Sequence, residues 1–172
     1  FDNLAPLSNY LGKPGNEGKG GLSIEEYKKR QAQHHIAEVK ALLDTPNFID
    51  KSNRIYGYPN FVCDTGGSIC EVVNPDDPND PVLKTLAENT LMVWIEGSSH
   101  HTDELIKRFD ENPKPMCYDP GFLDLKWREY LKINKCSVKN VDPDDFVRWT
   151  YSEAMAHRNP IYKSMASWGI TV

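Results

Sequence analysis

Phe61-Val62-Cys63-Asp64-Thr65-Gly66-Gly67-Ser68 sets three apolar residues directly before an acid and a pair of glycines. The apolar residues do not alternate with polar ones, as expected of a short strand covered on both faces, and Asp-Thr-Gly-Gly reads as the turn that ends it. Leu91-Met92-Val93-Trp94-Ile95 is a second run of the same kind. Two buried strands separated by helical segments predict an α/β fold, a mostly parallel sheet flanked by helices. In such sheets ligands bind in the crevice outside the carboxyl ends of the strands, so the Asp64 loop and the loop from Glu96 to His101 are expected on one edge.

The helical segments are marked by caps and spacing. Ser23 with Glu26 forms a capping box, and Tyr27, Ile36, Val39, Leu42 and Leu43 recur at roughly helical spacing, which predicts a helix over 24–44. Thr45-Pro46 begins a second helix that runs to about Tyr56 before Gly57. Further helices are expected from Val82 to Asn89, after Thr102 with Leu105, Ile106 and Phe109 on one face, at about 121–134, at 143–157 behind Asp142-Pro143, and at 160–168. Lys114-Pro115-Met116-Cys117-Tyr118 reads as a short strand or an extended link.

Residues 1–22 are rich in Asn, Pro and Gly and read as a flexible loop or lid ahead of a core over 23–172, the whole forming one domain. Gly12 to Ser23 superficially suggests a phosphate-binding loop, but no register gives Gly, four residues, Gly-Lys and then Ser or Thr.

With 172 residues, 39% hydrophobic and 26% charged, the chain has the composition of a globular domain. Its net charge of −5 argues against a general nucleic-acid binder. No apolar run reaches the roughly 20 residues that cross a bilayer, and no signal-peptide pattern opens the chain. Cys63, Cys70, Cys117 and Cys136 make no metal-ligand spacing and read as reduced thiols, hence a cytoplasmic protein.

Asp64, at a strand tip, is placed to hold magnesium; the alternative is that it caps its own turn. Gly66 and Gly67 let backbone amides approach an anion, with Thr65 and Ser68 adding hydroxyls. Glu71 is a secondary candidate for orienting a hydroxyl, against the reading of a solvated glutamate. Lys107, Arg108 and Lys114 are cations able to gather round a phosphate, Arg108 first because its planar fork suits phosphate oxygens. His100 and His101 offer acid-base work or a metal site with Cys63 or Cys70, while His34 and His35 read as exposed residues of a polar helix.

Taken together, the Asp64 loop, the Leu91 run and the helix with Lys107-Arg108 resemble the latter part of a P-loop kinase-like ATPase. The order Asn3-Leu4-Ala5-Pro6, Gly12-Lys13-Pro14, Gly20-Gly21-Leu22 and Asp64 to Glu71 is similar to bacterial proteins of that kind. The resemblance implies ATP and Mg2+ as cofactors and an acceptor of unknown identity. It implies Asp64 on the metal, Arg108 and Lys114 on the transferred phosphoryl group, and 12–21 as a cover. It also implies a first strand with a Walker A loop, which is absent between Phe1 and Val172 and would lie upstream. The leading expectation is therefore ATP-dependent phosphoryl transfer or ATP hydrolysis. The alternative is a non-catalytic interaction subunit of a larger assembly, with Trp127, Trp149 and Trp168 of the aromatic carboxyl-terminal helices as partner anchors.

Overall fold

A computed structural model describes residues 10–171. Asn3 to Pro6, and the first nine residues of the expected loop, lie outside the described residues. The helices are α1 Ile24–Leu43, α2 Thr45–Tyr56, α3 Pro81–Asn89, α4 Ser99–Glu111, α5 Pro120–Ile133 and α6 Pro143–Met165. The strands are β1 Val93–Trp94 and β2 Ile170–Thr171, and short 3-10 turns lie at Glu17–Lys19, Gly67–Glu71, Val138–Asn140 and Ala166–Trp168.

This is a mostly helical protein, which corrects the expected α/β architecture. The sheet among the described residues is one parallel pair, with Val93 opposite Ile170 and Trp94 opposite Thr171. Phe61-Val62-Cys63 is extended but enters no ladder, and Val62 is 91% exposed. Lys114 to Tyr118 likewise forms no strand. An unalternating apolar run becomes a central strand only where neighbours satisfy its amides and carbonyls on both edges. Here the burial that drives folding comes from helices, and only β2 reaches β1. The P-loop, kinase-like sheet therefore has no counterpart in this structure.

The helix starts follow from local chemistry. Glu26 N donates to Ser23 Oγ at 3.2 Å, as the capping pattern requires. Asp80 caps α3 by accepting from Val82 N and Leu83 N at 3.0 and 2.9 Å, and Asp119 caps α5 by accepting from Phe122 N at 2.8 Å. α4 starts earlier than expected, at Ser99, because Ser98 and His101 form its cap. α6 continues through Pro160 instead of breaking into two helices.

The described residues divide into two compact units, one built from residues 10–34 and 97–157, the other from 35–96 and 158–171. α1 and α6 each contribute to both. The first unit has an aromatic core: Tyr27, Tyr118, Leu123 and Phe146 are buried, and Trp127 and Tyr130 meet the Phe146 ring edge-on at 5.0 and 5.3 Å. Buried polar atoms are matched there, with Tyr118 N donating to Gln31 Oε1 at 2.9 Å and the Tyr118 hydroxyl 2.7 Å from Thr150 Oγ1.

The Gly-rich segment belongs to this unit and is fastened, not free. Gly15 N donates to Leu22 O and Leu22 N to Lys13 O, while Asn16 N donates to Val141 O. Lys13 pairs with Asp144 at 2.6 Å and Lys19 with Asp142 at 3.0 Å, at the start of α6. A side chain at Gly21 would sit 2.7 Å from Gly15 C, so the composition that suggested flexibility instead permits close backbone approach.

The second unit packs α3 residues Val82, Leu83 and Leu86 against Leu42, Ile69 and Met165. Gly169 admits β2 to this unit: a Cβ there would lie 2.2 Å from Met92 O.

Candidate functional site

The loop from Asp64 to Glu71 is a folded turn in the second unit. Gly66 N donates to Asp64 Oδ1 at 3.1 Å, so the carboxylate stabilises its own turn, and the side chain is exposed. Gly66 takes φ +64°, a conformation open to glycine, and leads into the 3-10 turn Gly67–Glu71. Thr65 is half-buried, with its hydroxyl 3.5 Å from Gly66 O. The Gly67 carbonyl accepts from the Tyr162 hydroxyl and, at 3.2 Å, from Cys70 Sγ. Ser68 Oγ donates to Glu38 Oε1 at 2.6 Å. The loop's polar atoms are thus largely engaged in holding the turn together.

Glu71 is the largest departure from its expected setting. Its side chain is 2% exposed and accepts from Arg158 Nε at 2.6 Å, with Arg158 8% exposed. Arg158 and Tyr162, one helical turn apart on α6, both approach this loop, and spacing within the sequence gave them no mark. Burial pushes the Cys70 thiol up to about 11 and raises the Tyr162 phenol above its ordinary value, so both stay protonated at neutral pH.

Arg108 and Lys114, with Lys107, are exposed and fall in the first unit, whereas Asp64 belongs to the second. His101 Nδ1 accepts from Ser98 N at 3.0 Å and so serves as a helix cap. His34 lies 3.6 Å from Cys117 Sγ through Nδ1, not in solvent as its polar helix suggested. Among the described residues no group of three or more His, Cys, Asp and Glu side chains is arranged to hold a metal ion. Asp64, bonded to its own turn and with no such group around it, does not fit a magnesium ion. The tryptophans do not supply exposed anchors either: Trp127 is buried, and Trp149 and Trp168 pack against the two cores.

A different surface stands out in the second unit. A groove of about 760 Å³ is bordered by the extended segments around Phe61 and Leu91, with Tyr162, Met165 and Ile170 contributing from the carboxyl-terminal side. Val62, Ile95 and Leu91 are 91%, 79% and 71% exposed, and Phe61, Val93 and Ile170 are also exposed. Leu91, Val93 and Ile95 alternate with the half-buried Met92 and Trp94, so β1 and its flanks carry one covered and one open apolar face. Asp64 is the single charged residue along the groove. The missing alternation in the two apolar runs was the signal for this surface: Leu91 to Ile95 is apolar on both faces but covered on one, and Phe61, Val62 and Cys63 are all exposed.

No protein-family model, curated protein or solved structure matches this chain. No helix among the described residues is long and apolar enough to cross a membrane.

Proposed function

We propose that this chain works as an interaction module, whose apolar groove in the second unit receives a segment of another polypeptide within a larger assembly. The observation that carries this reading is the contiguous open face formed by Val62, Leu91, Val93 and Ile95. Single exposed apolar residues need no explanation, but a concave, nearly uncharged group of them is the form a protein-binding surface takes. The aromatic carboxyl-terminal helices are not the anchors, because their tryptophans serve the cores. Phosphoryl transfer is the weaker reading, since Asp64 is committed to its turn and the parallel sheet that reading needs is not found among the described residues.

The reading is tested by placing a photo-crosslinking phenylalanine analogue at position 62 and irradiating the cells that make the protein. The expected product is a discrete polypeptide adduct that disappears when Ile95→Lys is added. An adduct pattern identical to that from the exposed position Lys84 would remove the reading.

A further inference from the structure

The open edge of β1 says what kind of segment the groove takes. Ile170 N donates to Met92 O at 2.9 Å, in the parallel register that sets Val93 opposite Ile170. Backbone polar groups of successive strand residues point to opposite edges, so this register turns the Val93 amide and carbonyl away from β2. No strand among the described residues pairs with that edge. The groove therefore presents an unpaired strand edge beside an open apolar face, the two features an added strand consumes together.

The extent of the surface matches a peptide better than a small molecule. Phe61, Val62, Leu91, Val93, Ile95 and Ile170 are open by the fractions that apply to each. Together they open to water the equivalent of more than three whole large apolar residues. A monomer's largest apolar patch is typically roughly 300–600 Å², and one side of a stable protein interface is roughly 800 Å². Charge adds a direction: Asp64 closes the apolar run Phe61-Val62-Cys63, and Glu96 closes the run Leu91 to Ile95. A strand with an apolar centre and a basic flank complements both.

Resting on the interaction-module reading, we infer that the groove's occupant is an extended, apolar, basic-flanked polypeptide strand that pairs along the free edge of β1 through Val93. Recognition is by main-chain bonds for affinity and by apolar side chains against Val62, Leu91 and Ile95 for fit.

The probe is a short synthetic peptide of alternating valine and threonine flanked by lysines, titrated into the full chain. Trp94, which lines the groove, reports binding by its fluorescence, and amide exchange reads protection at Val93. The expected result is saturable binding with slowed exchange at Val93. Binding should weaken by at least about tenfold in Val93→Pro, which removes the outward amide, and in Ile95→Lys, which charges the face. Asp64→Asn should weaken it by a smaller factor, and the same peptide with a central proline should not bind. Ile95→Lys keeps the test decisive if Val93→Pro misfolds, because position 95 lies outside the ladder.

Three results overturn the inference: equal binding of the proline-centred peptide, preference for a helix-forming leucine and lysine peptide, or concentration-dependent self-association abolished by Ile95→Lys in place of peptide binding. A crosslinked partner at position 62 together with failure of the strand peptides would reject strand pairing alone. Absence of any crosslinked partner would reject the underlying interaction reading.

Discussion

Arg158 Nε meets Glu71 Oε1 at 2.6 Å with both side chains out of water, tying α6 to the turn that follows Asp64. Two ions removed from solvent tolerate each other's company, but neither tolerates isolation. Glu71→Ala is expected to destabilise the second unit by about 3–5 kcal/mol, because it removes the carboxylate that a buried guanidinium holds at 2.6 Å. Replacing both residues with apolar side chains of similar size should cost far less. Urea unfolding of the single and double variants, followed by tryptophan fluorescence, checks the difference.

The thiols should separate by environment. Cys70 is buried and its thiol is pushed up to about 11 by loss of solvent, while Cys63 is exposed. At pH 8 iodoacetamide should label Cys63 readily and leave Cys70 intact in the folded protein, as read by peptide mass spectrometry.

The same shift gives alkaline sensitivity. The ordinary thiol ionises near 9.0, whereas folded Cys70 holds its proton to about 11, so the unfolded state loses its proton first. Stability is fully present below pH 9 and declines as pH rises between those values, and the raised Tyr162 phenol acts in the same direction. Thermal melts should fall across that range, and Cys70→Ser should flatten the fall.

At the acid end the fastened Gly-rich segment is the sensitive element. The hydrogen bond from Lys19 holds the Asp142 carboxyl below its ordinary 3.8, with Asp144 and Asp145 backbone amides adding to the effect against some desolvation. Its contribution is present above pH 3.8 and is lost as pH falls through the lower folded value. The protection of the Gly15 and Leu22 amides, measured relative to their intrinsic exchange rates at each pH, should fall on acidification, and Asp142→Asn should show that lower protection already at neutral pH.

The groove's open face makes a simple stability prediction. Ile95→Lys and Val62→Asp are expected to change unfolding free energy by less than about 0.5 kcal/mol while raising solubility, because neither side chain is packed. Gly169→Ala is expected to behave differently, since its Cβ would collide with Met92 O and force β2 away from β1. Exchange at the Ile170 amide distinguishes the two classes of variant.

Most helices were legible before any coordinates. Ser23 with Glu26 and Asp142-Pro143 mark starts through bonds made within one turn, and Gly57 marks a stop, whereas the Asp80 and Asp119 caps went unread in the sequence. The strands were misjudged for the opposite reason. Phe61-Val62-Cys63 and Leu91 to Ile95 carry strand chemistry, but a strand is completed by neighbours that no local pattern reveals. Asp64 bonds its own turn, which was the alternative to the magnesium reading, and Glu71 lost its solvated reading to a cation 87 residues away in sequence.

What the sequence determined by itself was therefore short-ranged: where most helices lie, how the helices after Ser23 and Asp142 open, and which two segments are apolar on both sides. Tertiary structure alone decided that Glu71 faces Arg158, that the Gly-rich segment is fastened at Val141 and Asp142, and that one face of β1 stays open. The division is physical. Caps and helical periodicity are satisfied within a few residues, while ion pairs, ladders and grooves depend on which distant segments the chain brings together.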